Sequence, residues 1–306
     1  MKKLLNIAGA VVFVIATALL LVQAWRYRET LAAALSDPAV LAGVIGGSLA
    51  YAALLGVLAL SWSIVARQLA DGAAPAPAGG APGVRRHRDV HVYALCNIYK
   101  YLPGNIFHLV SRQALFANAG LGQGVIARAT LVEACLHVAA VTTVAALLLA
   151  IGGDTGGIEL VGIRLSLPLI VVAMAVPAVV GVSLAWTQLR GGGRLRPVAL
   201  QLLFFAGYAA IVYVLFGLLA ALPADRLLRL TGGYLVAWLA GFLTPGAPGG
   251  VGVREVVFMA FAHDDPAFAV EAAVAGRLVT TVGDLLLPVL TAGYGRFVPG
   301  GGLFRG

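Results

Sequence analysis

The feature that most restricts this chain is its succession of apolar runs. Residues 4–24, 40–65, 125–151, 165–189, 198–222 and 268–290 are each at least 21 residues long and predominantly apolar, and four of the six carry no charge. An α-helix rises about 1.5 Å per residue, so about 20 such residues cross the roughly 30 Å hydrocarbon layer of a bilayer. Charged residues are 11% of the 306 positions and hydrophobic ones 60%, whereas soluble domains carry about 25% charged residues. A globule of this size has too little interior to hold so much apolar surface. The sequence therefore predicts an all-α polytopic membrane protein with six full spans and no recognisable soluble domain. Met1-Lys2-Lys3 ahead of residues 4–24 resembles the start of a signal peptide. Signal-peptide apolar regions run about 7–15 residues, so this one reads as the first span.

Two further apolar regions are interrupted. Residues 90–119 contain Tyr101-Leu102-Pro103-Gly104, and residues 231–262 contain Thr244-Pro245-Gly246-Ala247-Pro248-Gly249-Gly250. Proline removes a backbone donor and clashes with the preceding turn, and glycine loosens the rest. Neither region can be one continuous helix. The basic residues supply orientation, since they concentrate in cytoplasmic loops. Lys2, Lys3, Arg67, Arg85-Arg86-His87-Arg88 after a Pro/Ala/Gly linker (71–84), Arg190, Arg194, Arg196, Arg296 and Arg305 fall on one side. Asp154 and Glu159 fall on the other, with Arg26, Arg28, Arg226 and Arg229 as dissenting charges in outer loops. Both termini are expected to be cytoplasmic. Each broken region must then return to its starting face, with 231–243 too short an arm to cross.

The chain divides into two halves, 1–151 and 152–306, each ordered as span, span, broken hairpin, span. The halves begin on opposite faces. Inverted repeats with Gly/Pro breaks at matching positions mark transporters whose site lies at the repeat interface.

Charges inside apolar segments cost about 2.5–3.5 kcal/mol each at mid-bilayer and normally face partners or a cavity. Gly249-Gly250-Val251-Gly252-Val253-Arg254-Glu255 places a flexible break before a half-helix. The exposed N–H groups of its first turn and Arg254 suit an anion such as a lipid phosphate; Arg254 reads equally well as the partner of an acid. The hinge set is Pro103, Gly104, Pro245, Pro248, Gly249, Gly250 and Gly252. In the first hairpin, Lys100 and Arg112 either meet a phosphate or extend to the interface beside Tyr99 and Tyr101. Glu133 and His137, four apart, share a helix face, as do Arg277 and Asp284, seven apart. With Arg128 they form either a polar relay or ordinary interhelical bonds.

Several functions are disfavoured. The net charge of +8 lies in short clusters between spans, unlike a nucleic-acid surface. Cys96 and Cys135 lack metal or disulfide spacing, no His/Glu pattern suits zinc, and no Gly-x-Ser-x-Gly turn occurs. The expectation is no catalytic residue, no metal and no cofactor. No feature sets an oligomeric state.

Asn97-Ile98-Tyr99-Lys100-Tyr101-Leu102-Pro103-Gly104, with Arg112 downstream, and Pro248-Gly249-Gly250-Val251-Gly252-Val253-Arg254-Glu255 resemble the two signature stretches of the lysylphosphatidylglycerol synthase transmembrane region family. This is the membrane portion of bacterial multiple-peptide-resistance proteins, which also occurs as a stand-alone protein. The resemblance implies a flippase-like module in the bacterial plasma membrane, with Lys100, Arg112, Arg254 and Glu255 as headgroup contacts. It implies a membrane lipid as substrate: a phospholipid, a polyprenyl-linked sugar or a hopanoid-like lipid. The cytosolic aminoacyltransferase domain of the full-length proteins has no counterpart before Gly306, so that synthesis is not expected here. The alternative is a non-transporting membrane enzyme, or an accessory subunit that presents a lipid to a separate lipid-modifying enzyme such as a glycosyltransferase.

Overall fold

The computed structural model describes residues 25, 28–70, 82–101, 107–118, 121–153, 158–160, 163–165, 167–189, 193–244 and 248–295. The expected first span at 4–24, the linker residues 71–81, and Pro103, Gly104 and Pro245 of the hinge set lie outside them.

Helix α1 spans Arg28–Ser36, α2 Pro38–Ala70 and α3 Pro82–Ile98, which runs into a 3-10 turn, Tyr99–Tyr101. Then come α4 (Phe107–Asn118) and α5 (Gln123–Gly152). A short antiparallel pair, β1 (Ile158–Leu160) and β2 (Ile163–Leu165), sets Glu159 opposite Arg164. Next are α6 (Leu167–Gln188), α7 (Leu195–Leu219) and α8 (Ala224–Leu243). A second 3-10 turn (Pro248–Gly250), α9 (Val253–Phe261) and α10 (Pro266–Gly295) complete the described chain.

Four of these helices, α2, α5, α7 and α10, are long and apolar enough to cross a membrane. Each coincides with a predicted apolar run to within a few residues. α6 covers the run at 165–189. The long helices have apolar side chains both inside and outside: Leu131, Val176, Val214 and Val289 are exposed while Trp62, Phe204 and Phe216 are fully buried. Apolar residues all round a helix fit a protein whose outer surface meets lipid.

The arms of the two broken regions begin earlier than expected. α3 starts at Pro82 and α8 at Ala224, so residues 82–84 of the expected linker and Arg85–Arg88 after it are helical, and Arg226 and Arg229, assigned to a loop, lie on α8. Proline is favoured in the first helical turn, and arginine is a good helix former. The apolar pattern marks burial, and these helices continue beyond it. At 20 residues, α8 is about 30 Å long, so length alone does not keep it from crossing. Arg226 Nη2 of α8 pairs with Asp264 Oδ2, just beyond α9, at 2.8 Å, so the start of α8 and the end of α9 lie side by side.

α10 orders the two broken regions. α8 begins at the end where α10 starts, because Asp264 immediately precedes α10. α3 begins near the end where α10 finishes, because His91 Nδ1 lies 2.8 Å from Thr291 Oγ1. α10 also lies close against α2, where a Cβ at Gly283 would stand 2.9 Å from the Ser48 carbonyl oxygen. The starts of α3 and α8 thus lie toward opposite ends of α10, and the two 3-10 turns touch one another beside it.

Candidate functional site

The second turn depends on glycine. Gly249, Gly250 and Gly252 have φ of 56°, 69° and 85°, backbone that glycine adopts without the Cβ penalty of other residues. These residues end the loop from α8 and restart the chain as α9. Glu255 caps the restart, since its Oε2 accepts a hydrogen bond from the Gly252 N–H at 2.6 Å. Its other oxygen accepts from Nε of Arg277, whose Nη1 donates to the Gly249 carbonyl at 2.8 Å. Glu255 therefore has both carboxylate oxygens engaged in holding the turn to α10.

The first turn is held to the same helix. Lys100 Nζ lies 2.7 Å from Asp284 Oδ2, and the Asn97 amide donates to Asp284 Oδ1 at 2.6 Å. Lys100 points toward the buried Asp284. Arg277 and Asp284 share a face of α10, as their spacing predicts, and each holds a different hairpin.

A third ion pair joins the first hairpin to α5. Arg112 pairs with Glu133, which also accepts a hydrogen bond from the Tyr93 hydroxyl at 2.7 Å. The Arg112 guanidinium lies over the Tyr93 ring, 4.4 Å from its centroid. His137 reaches only the main chain of Glu133, its Nδ1 lying 2.9 Å from the carbonyl oxygen. A carbonyl cannot donate, so Nδ1 carries a proton. The His137 ring stacks with Phe242 and Trp238 at centroid distances of 5.7 and 6.1 Å. Arg128 is elsewhere: it is exposed and donates to Gln188 Oε1 at 3.3 Å.

Arg254 differs from the other cations. It is 7% exposed, and its Nη2 donates to the Tyr208 hydroxyl at 2.9 Å. Its guanidinium lies 5.6 Å from the Tyr234 ring centroid. Its Nε has no hydrogen-bond partner, as is also true of Arg112 Nε and Arg277 Nη2; what sets it apart is that among the described residues it makes no ion pair. The space beside it is tight: a Cβ at Gly241 would meet the Arg254 side chain and lie 3.1 Å from Gly250 Cα. The stem of Arg254 is therefore wedged between α8 and the turn.

These groups surround a cavity of about 120 Å³ where the two hairpin tips meet. Lys100, Arg112, Arg254 and Arg277 line it, together with Glu133 and His137, while Tyr51, Phe204, Trp238 and Phe242 form an aromatic wall. Gly249 and Gly250 also line it. Asp284 and Glu255 stand behind Lys100 and Arg277 as their counter-charges. Most of the residues singled out in the sequence are thus gathered at one place; Arg128 is the outlier.

Sequence reasoning missed Tyr93, Tyr208 and Trp238. Each sits in an apolar run, where an aromatic ring carries no functional mark of its own. The spacing of Trp238 and Phe242, one helical turn apart, was the available signal. No protein-family model matches this chain, and no curated protein matches it.

Proposed function

We propose that this chain is a lipid translocator. It moves an anionic, aminoacylated or polyprenyl-linked lipid between leaflets by alternating access around the two hairpin tips. The observation that carries this reading is Arg254: a buried cation that makes no ion pair among the described residues, at a cavity lined by charged and aromatic side chains. Burying a lone cation is strongly unfavourable, and an anionic headgroup that meets it removes that cost. The aromatic wall offers apolar contact to the rest of an amphipathic ligand.

In this reading the bundle comprises six spans in two inverted halves, 1–151 and 152–306. The hairpins 90–119 and 231–262 are re-entrant, and both termini are cytoplasmic in a bacterial plasma membrane. The opposed starts of α3 and α8 and the resemblance of the two breaks to the lysylphosphatidylglycerol synthase transmembrane region support it. Cysteines placed at Ala224 and His263, both exposed, are expected to react with an impermeant maleimide from the same side of intact cells. Labelling from opposite sides would remove the second re-entrant hairpin.

The functional test uses purified protein in vesicles that contain fluorescent phosphatidylglycerol, with dithionite added outside. Wild-type protein is expected to expose the inner-leaflet label to reduction, and Arg254→Gln to slow this at least about tenfold, the loss of one charge-assisted contact. Lipid binding without transfer, across a panel of anionic lipids, would instead favour the accessory role in which a bound lipid is presented to a glycosyltransferase.

A further inference from the structure

The charges around the cavity are unequal in number, and this bears on the charge of the ligand. Four cations line it: Lys100, Arg112, Arg254 and Arg277. Three of them face carboxylates, in the pairs Lys100–Asp284, Arg112–Glu133 and Arg277–Glu255. All three carboxylates are buried, so the pairs neutralise one another locally rather than through water. Arg254 alone is left over. Its Nη2 donates to the Tyr208 hydroxyl, and its Nε, like Arg112 Nε and Arg277 Nη2, has no hydrogen-bond partner. Among the described residues, the site therefore carries one positive charge more than it balances.

Resting on the anion-site reading above, we infer that the site takes a head bearing a single negative charge, a phosphodiester, and discriminates against a terminal phosphomonoester or diphosphate. A monoanion at Arg254 brings the buried cluster to neutrality. A dianion would leave one negative charge uncompensated among groups removed from water, which is strongly unfavourable. Two oxygens of a phosphodiester also match the two-point donor geometry of a guanidinium edge.

The test compares two ligands with one tail. Full-length protein in phosphatidylcholine nanodiscs is titrated with dodecyl methyl phosphate, a monoanion, and with dodecyl phosphate. The latter is a dianion at about pH 8.5, because the second ionisation of an alkyl phosphate lies near pH 6. Tryptophan fluorescence reports occupancy, since Trp238 lines the cavity. The diester is expected to bind at least about tenfold more tightly, a modest share of what an unbalanced buried charge costs. Asp284→Asn removes the counter-charge of Lys100 and is expected to narrow or invert that preference. Glu255→Gln, which does the same behind Arg277, serves if the first variant does not fold.

Equal or tighter binding of the monoester by the wild type overturns this inference and leaves the anion site standing. An unchanged preference in a folded variant overturns it too. Binding of neither phosphate overturns the anion-site reading itself, and this inference with it.

Discussion

Glu133→Ala is expected to lower the stability of the purified protein by about 3–5 kcal/mol, the usual cost of removing one partner from a buried ion pair. Glu133 is 5% exposed and so is Arg112. The alanine would strand the guanidinium in the protein interior, since the Tyr93 ring beside it offers only a cation–π contact. It would also orphan the Tyr93 hydroxyl, which donates to Glu133 at 2.7 Å. The measurement is reversible denaturant unfolding in one fixed detergent. The double replacement Arg112→Met with Glu133→Leu is expected to recover most of the loss, because it removes both charges and keeps the volume. A single-mutant loss below about 1 kcal/mol, the range of solvent-exposed pairs, would show that water reaches Arg112 and that the pair is not buried in solution.

The second large effect is at Gly250. Its φ is +69°, and a Cβ there would stand 2.9 Å from Gly241 Cα and 3.1 Å from Arg254 Cδ. Gly250→Val is expected to cost roughly 2–5 kcal/mol, from the left-handed backbone and from overpacking together. It should also abolish lipid transfer, since relief of the clash moves the stem of Arg254. Gly46→Ala is the control. Nothing lies within 4 Å of a Cβ built at Gly46, and alanine is favoured over glycine in a helix interior by up to about 1 kcal/mol. It should therefore leave stability equal or raised and transfer unchanged. Wild-type transfer by a folded Gly250→Val protein would sever the link between this turn and the activity.

How much of this could be read from the residues depended on which force set each feature. The four membrane-length helices were legible because lipid-facing burial writes itself as unbroken hydrophobicity. The breaks were legible because proline and repeated glycine exclude a continuous helix, and the left-handed Gly249, Gly250 and Gly252 bear this out. The starts of α3 and α8 were not legible, since the helix there continues through arginines that the apolar pattern ignores. Lys100, Arg112, Glu133, Arg254 and Arg277 lie together around the cavity, but how the charges pair could not be read from the sequence. Helical spacing puts Arg277 and Asp284 on one face without saying what faces them. Their partners, Glu255 and Lys100, lie in segments brought there only by the tertiary fold. Arg128 failed for the same reason: an arginine in an apolar run is as free to turn outward as inward. Tyr208, which holds the guanidinium of Arg254, had no signal at all in its surrounding sequence.

The unmatched guanidinium has an electrical consequence. Any displacement of Arg254 along the membrane normal, on the reading proposed above, transports charge through the transmembrane field. Moving one elementary charge across the whole field is worth about 2.3 kcal/mol per 100 mV. A rearrangement of the second hairpin that carried Arg254 over only part of that distance would still be biased by the membrane potential. A monoanion travelling with it would cancel the coupling. The same single charge that sets which headgroup fits would then make one leg of a transport cycle sensitive to voltage and the other indifferent to it.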